Sequence, residues 1–117
     1  MMQLAPGIQV WLACRPTDMR KGFNGLAAQV KEVLHADPFS GHLFVFRGRR
    51  GDYLKVLHWD GTGLCLFAKR LEKGRFVWPP IINERLCLTR GQLDLLIEGM
   101  DWRRTVALAV EHRPALA

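Results

Sequence analysis

LFVFRGRRGDYLKVLHWDGTGLCLFAKRLEKGRFVW, residues 43–78, is the stretch whose reading decides the fold. Turn signals at residues 48–52, 60–63 and 73–74 divide it into four short runs rich in Phe, Val, Leu, Tyr and Trp, the pattern of an antiparallel meander. In the second run Tyr53, Lys55, Leu57 and Trp59 alternate with Leu54, Val56 and His58. Strand side chains point to opposite faces in turn, so one set meets a core while the other interleaves aromatics with a cation, as on a half-exposed binding sheet. Lys69 and Arg70 enter at the end of the third run, and Phe76 and Trp78 flank Val77 in the fourth. The stretch also concentrates charge. Arg47, Arg49, Arg50, Lys55, Lys69, Arg70, Lys73 and Arg75 face only Asp52, Asp60 and Glu72, eight against three, a local excess of +5 in a chain that nets +6.

Upstream, residues 8–14 (IQVWLAC) alternate Ile8, Val10 and Leu12 with Gln9, Trp11 and Ala13 and read as a strand with a buried face. Beyond Pro16, Thr17 or Asp18 is placed to cap a long helix over residues 19–34, whose stripe is Met19, Phe23, Leu26, Ala27, Val30, Val33 and Leu34. Gly22 and Gly25 inside it each cost about 1 kcal/mol against Ala and are read as allowing the helix to lie close on a sheet. Residues 35–42 form a loop. Downstream, Pro79 and Pro80 stop the meander, residues 85–88 offer one more strand, and Thr89 with Gln92 matches a capping box ahead of a helix bearing Leu93, Leu96, Ile97 and Met100 and ending near Trp102. Residues 103–117 read either as a helical extension or as a loose tail.

A length of 117 residues fits one domain, with its core over about 8–102, that needs neither disulfides nor a metal to bury a core. Apolar content of 49% with 24% charged residues is that of a globular protein and argues against disorder, and a pI near 9.8 points to a polyanionic partner. Cys14, Cys65 and Cys87 are odd in number, far apart and set among apolar neighbours, the pattern of reduced core thiols rather than of a zinc site. No window approaches the roughly 18 apolar residues of a membrane span, so a cytoplasmic protein without membrane contact is expected.

Catalysis finds little support. Asp18, Asp52 and Asp60 sit where a helix cap and two hairpin turns explain them, whereas metal-dependent strand cutting needs acids converging from strand interiors. The four histidines lack metal-ligand spacing, His58 reads as a locally satisfied strand residue, and no nucleotide loop is present. No cofactor, metal or catalytic residue is therefore expected. The basic meander has the cation density of a phosphate-tracking surface, with Arg49 and Arg50 at a hairpin tip. Arg20 and Lys21, at the helix start, are placed beside free amides that can hold a phosphate. Tyr53, Trp59 and Trp78 are the stacking or interface candidates.

Three segments, CRPTDMRKGFNGLAAQV (residues 14–30), DPFSGHLFVFRGRRGDYLKVLHWDGTGLCLFAKRLEKGRFVWP (37–79) and LTRGQLDLLIEGMDW (88–102), resemble the TnpB accessory proteins of insertion-sequence-66 bacterial transposons. The resemblance covers roughly residues 8–102. It implies a non-catalytic accessory protein required for transposition and encoded beside a separate transposase that performs the strand cutting.

The expectation is thus an α+β fold, an antiparallel meander of four to five strands plus an N-terminal strand, with the long N-terminal helix and the C-terminal helix packed on the same sheet face. The expected function is DNA binding at transposon ends or within the transposase complex. The alternative is an adapter that docks on the transposase without touching DNA. The open sheet face is left to nucleic acid, to protein or to a second copy of the chain.

Overall fold

A computed structural model describes residues 6–82 and 84–103. Seven elements follow in order: β1 (Val10–Ala13), α1 (Phe23–Glu32), β2 (Leu43–Arg47), β3 (Tyr53–Trp59), β4 (Leu64–Arg70), β5 (Arg85–Leu88) and α2 (Arg90–Ile97). The strands form one sheet in the order β4-β3-β2-β1-β5. β2, β3 and β4 are the antiparallel meander read from the sequence, and β5 occupies the residues expected of it. β1, however, lies parallel to β2, because α1 carries the chain across one face and returns it to the same end of the sheet. The sheet is therefore mixed.

The helices cover opposite faces, not one. β2 is buried at all five positions, Leu43, Phe44, Val45, Phe46 and Arg47, and a strand apolar on both sides needs cover on both sides. On one face Leu26, Val30 and Leu34 of the α1 region pack on Ala13, Phe44, Phe46 and Leu57. On the other, Leu93, Leu96 and Ile97 of α2 join Val10, Leu12, Val45, Leu54 and Val56, together with Phe76 and Trp102.

Four further expectations are corrected. α1 spans ten residues, not sixteen, because the chain before it is held elsewhere: the Thr17 amide donates to the Arg47 carbonyl at 2.8 Å and the Arg20 amide to Asp18 Oδ1 at 2.9 Å. Gly22, rather than Thr17 or Asp18, occupies the N-cap, and Phe23 and Val33 are left about half exposed. The fourth meander run forms no strand. Phe76 donates its amide to the Gly51 carbonyl and is 3% exposed, and Trp102 Nε1 donates to the Val77 carbonyl, so residues 76–78 fold over the α2 face as part of its core. α2 stops at Ile97, not near Trp102. Gly99, at φ +77°, and Met100 donate to the carbonyls of Leu96 and Leu95, the paired bonds of a Schellman cap. Of the thiols, only Cys14 lies in the core; Cys65 is partly buried and Cys87 is exposed. The capping box forms as read, with the Gln92 amide donating to Thr89 Oγ1 at 3.0 Å and the Thr89 amide to Gln92 Oε1 at 2.9 Å. The expected order of residues 104–117 lies outside the described residues. Among those described, no helix is long and apolar enough to cross a membrane.

Candidate nucleic-acid interface

β1 and β2 end, and β3 and β5 begin, at the same end of the sheet, where β4 also finishes. Three loops meet there: residues 14–22, the β2–β3 tip at 48–52, and the return at 71–76. The tip is tied down from several sides. Leu71 donates to the Asp52 carbonyl at 2.8 Å, while the Phe76 amide and Trp78 Nε1 both donate to the Gly51 carbonyl at 2.9 Å. Gly51 has φ +83°, a conformation costly for residues with a Cβ, and a Cβ on Gly48 would approach Met19 Cγ to 2.9 Å. Arg49 and Arg50 thus extend into solvent from a braced turn.

Two adjoining concavities, of about 490 and 380 Å³, share Arg49, Arg50 and Asp52; Arg20, Met19 and Tyr53 also line the first, and Arg75 the second. On the far side of residues 15–17 a third, of about 510 Å³, is lined in part by Arg15, Thr17, His35, Glu84 and Arg85. Leaving out the buried Arg47, the cations Arg15, Arg20, Lys21, Arg49, Arg50, Arg70, Lys73, Arg75 and Arg85 belong to this end against Asp18, Asp52, Glu72 and Glu84, nine to four among the described residues. Arg85 escaped the sequence reading. It falls beside the rest because β5 pairs antiparallel with β1, placing it opposite Ala13, and its guanidinium lies 4.2 Å from the Trp11 ring centroid. The only sequence signal was a basic residue opening a short strand of unknown neighbour.

The field is smaller than the run of cations in the sequence. Arg47 is 9% exposed, with its guanidinium 5.1 Å from the Trp78 ring centroid, and burial pushes its pKa down. Lys55, likewise 9% exposed, lies under α1 and donates to the Lys21 carbonyl at 2.9 Å, so the face with Tyr53, Lys55, Leu57 and Trp59 is no open binding sheet. Lys69, on the opposite face, donates to the Ile97 carbonyl at the end of α2 at 2.8 Å. Lys21 Nζ donates to Gln29 Oε1 at 3.0 Å. Arg20 pairs with Asp18 at 2.8 Å and holds that carboxyl well below the usual carboxylate range, while Arg50 reaches Asp52 only at 3.5 Å.

The aromatics separate too. Trp78 is a brace for the tip, Trp59 stacks edge-on with Phe39 at the opposite end of the sheet, and only Tyr53 lines the basic concavity. At that opposite end Asp60 accepts from the amides of Thr62 and Gly63 and from the Thr62 hydroxyl, which bears out its reading as a turn residue. The backbone amides lower its pKa to about 2. Two buried polar atoms, Thr17 Oγ1 and His58 Nδ1, have no described hydrogen-bond partner, so the local satisfaction expected of His58 is not seen.

A family model described as IS66 Orf2 like protein matches residues 8–107. Two proteins of Sinorhizobium fredii (strain NBRC 101917 / NGR234) are similar along nearly their whole length. One, named uncharacterized protein y4hO, is 50% identical over 103 residues, covering 88% of this chain and 90% of that protein. The other, uncharacterized protein y4jC, is 43% identical over 111 residues and covers 95% of each. No solved structure matches.

Proposed function

The chain belongs to the IS66 Orf2-like family of transposon-associated accessory proteins, and from that premise we propose that it binds the DNA backbone through the basic end of its sheet. The observation that carries the reading is the convergence of Arg49, Arg50 and Arg75 around one braced, solvent-open turn. Guanidinium groups recognise phosphate through two parallel donors, and a turn already held in place loses little freedom on binding. Arg70 and Lys73, on the same end, extend the footprint. Nothing in this role requires a catalytic step from the chain.

Five phosphate contacts would make log K fall against log salt with a slope of roughly −4 to −5 on duplex DNA. Fluorescence anisotropy of a labelled duplex across a salt series measures it. Replacing Arg49, Arg50 and Arg75 together by alanine should flatten the slope by about 3, since each neutralised phosphate contributes about 0.9. A wild-type slope near zero, or one unmoved by the triple replacement, refutes the reading. Equal losses on transposon-end and random duplexes identify phosphate contacts, and loss on one sequence alone identifies base readers.

A second reading, docking on the transposase, has one observation in its favour: Asp18 and Asp52 interrupt the cations, and such alternation suits a protein surface as well as a nucleic acid. Co-purification with the transposase that survives nuclease treatment, with no duplex binding by the isolated chain, selects it.

A further inference from the structure

β4 is an outer strand of seven residues, LCLFAKR, and no described segment pairs with its free edge. Edge strands are ordinarily protected by shortness, proline, a bulge or charge along the edge; β4 has none of the first three, and its charges, Lys69 and Arg70, sit only at one end. Its middle is apolar, with Leu64 and Leu66 partly buried and Phe67 36% exposed.

We infer that β4 pairs antiparallel with β4 of a second copy, about a two-fold axis at Phe67, giving a ten-stranded sheet. The direction of the backbone groups selects this register. The Leu71 amide donates inward to the Asp52 carbonyl and the Gly63 carbonyl accepts from Asp60. Backbone groups alternate along a strand, so Cys65, Phe67 and Lys69 turn theirs toward β3, while Leu64, Leu66, Ala68 and Arg70 turn theirs outward. A two-fold axis at Phe67 sets Leu66 opposite Ala68 of the second copy and Leu64 opposite Arg70, so that every outward amide and carbonyl finds a partner. It is the one register with outward groups opposed that uses the whole strand.

The same register solves the charge problem. Lys69 meets Cys65 and Arg70 meets Leu64, so no like charges stand opposite each other, whereas a parallel, in-register arrangement would stack the cations. Phe67 meets its own copy at a non-hydrogen-bonded pair, where side chains approach closest. The other sheet edge, β5, is a four-residue strand and offers a far shorter ladder. Antiparallel pairing also directs the two basic ends to opposite ends of the shared sheet, leaving Arg49, Arg50 and Arg75 of each copy uncovered. The inference is independent of what those residues bind.

Sedimentation velocity over a concentration series tests it, with Ala68→Pro and Phe67→Lys. The wild type should pass toward twice its 13.4 kDa chain mass as concentration rises. Ala68→Pro removes only an outward amide, which an edge strand tolerates, and should give a folded monomer. Phe67→Lys sets two ammonium groups face to face and should weaken association about tenfold or more. Should Ala68→Pro lose the wild-type circular dichroism, Phe67→Lys decides. A single-chain mass at every concentration overturns the inference, as does a dimer that folded forms of both variants leave unchanged.

Discussion

Replacing Lys55 and Lys69 by methionine separates the two accounts of the basic meander. In the sequence both belong to a DNA-facing sheet; in the structure both are internal ties, one on each face. Lys55 Nζ holds the Lys21 carbonyl at 2.9 Å just ahead of α1, and Lys69 Nζ holds the Ile97 carbonyl at 2.8 Å at the end of α2. Methionine keeps the length and packing of the stem but leaves each carbonyl without its donor. A hydrogen bond to a charged group contributes about 1.5–3 kcal/mol, and the release of a partly buried ammonium offsets some of that, so about 1.5–2 kcal/mol per site is expected. The sites lie on opposite faces and share no partner, so the double variant should lose about 3–4 kcal/mol. At a urea slope of about 1.5–2 kcal/mol/M its midpoint should fall by roughly 2 M, read by tryptophan fluorescence. The salt slope of duplex binding, measured where the variant is still folded, should stay within about half a unit of wild type, because neither ammonium reaches a phosphate. Unchanged stability with a slope flatter by about 2 would refute the reasoning and return these lysines to the binding surface.

Three other expectations follow from single contacts. Thr89→Ala removes one half of the capping box and should lower stability by about 1 kcal/mol in chemical denaturation, with Thr89→Ser retaining most of it. Gly51→Ala places a Cβ at φ +83°, 3.3 Å from Arg75 Cδ and 3.4 Å from Trp78 Nε1, and should cost about 1–2 kcal/mol, measured by thermal unfolding. The Asp60 carboxyl is depressed from 3.8 to about 2 in the folded chain, so its contribution to stability is present above about pH 3.8 and is lost as pH falls through 2. Carbon-detected NMR titration should place its midpoint near 2; Asp60→Asn, which still accepts the turn amides, should be far milder than Asp60→Ala, and equal effects would exclude those bonds as the cause.

Local chemistry was legible wherever neighbours in sequence settle it. Thr89 and Gln92 cap α2 because both partners lie within one turn, Asp60 closes its hairpin with the next three residues, and strand periodicity placed β2, β3, β4 and β5. The stop at Gly99 is a local signal too, but the apolar stripe through Met100 carried the expected helix past it. What alternation could not say is what covers each face. It groups Tyr53 with Lys55 and Leu57, but whether that group meets solvent depends on where α1 lands, and α1 lands on it. Residues 76–78 have the composition of a strand, yet the carbonyl of Gly51 and the ring of Trp102 draw them onto the α2 face, which leaves β4 as an edge. The chain by itself determined its family, the places of β1 to β5 and of the capping box, and its excess of positive charge. Only the tertiary structure decided which cations are free, because a lysine beside an orphan helix carbonyl and an arginine on a braced turn are alike in sequence, and packing alone consumes the one and presents the other.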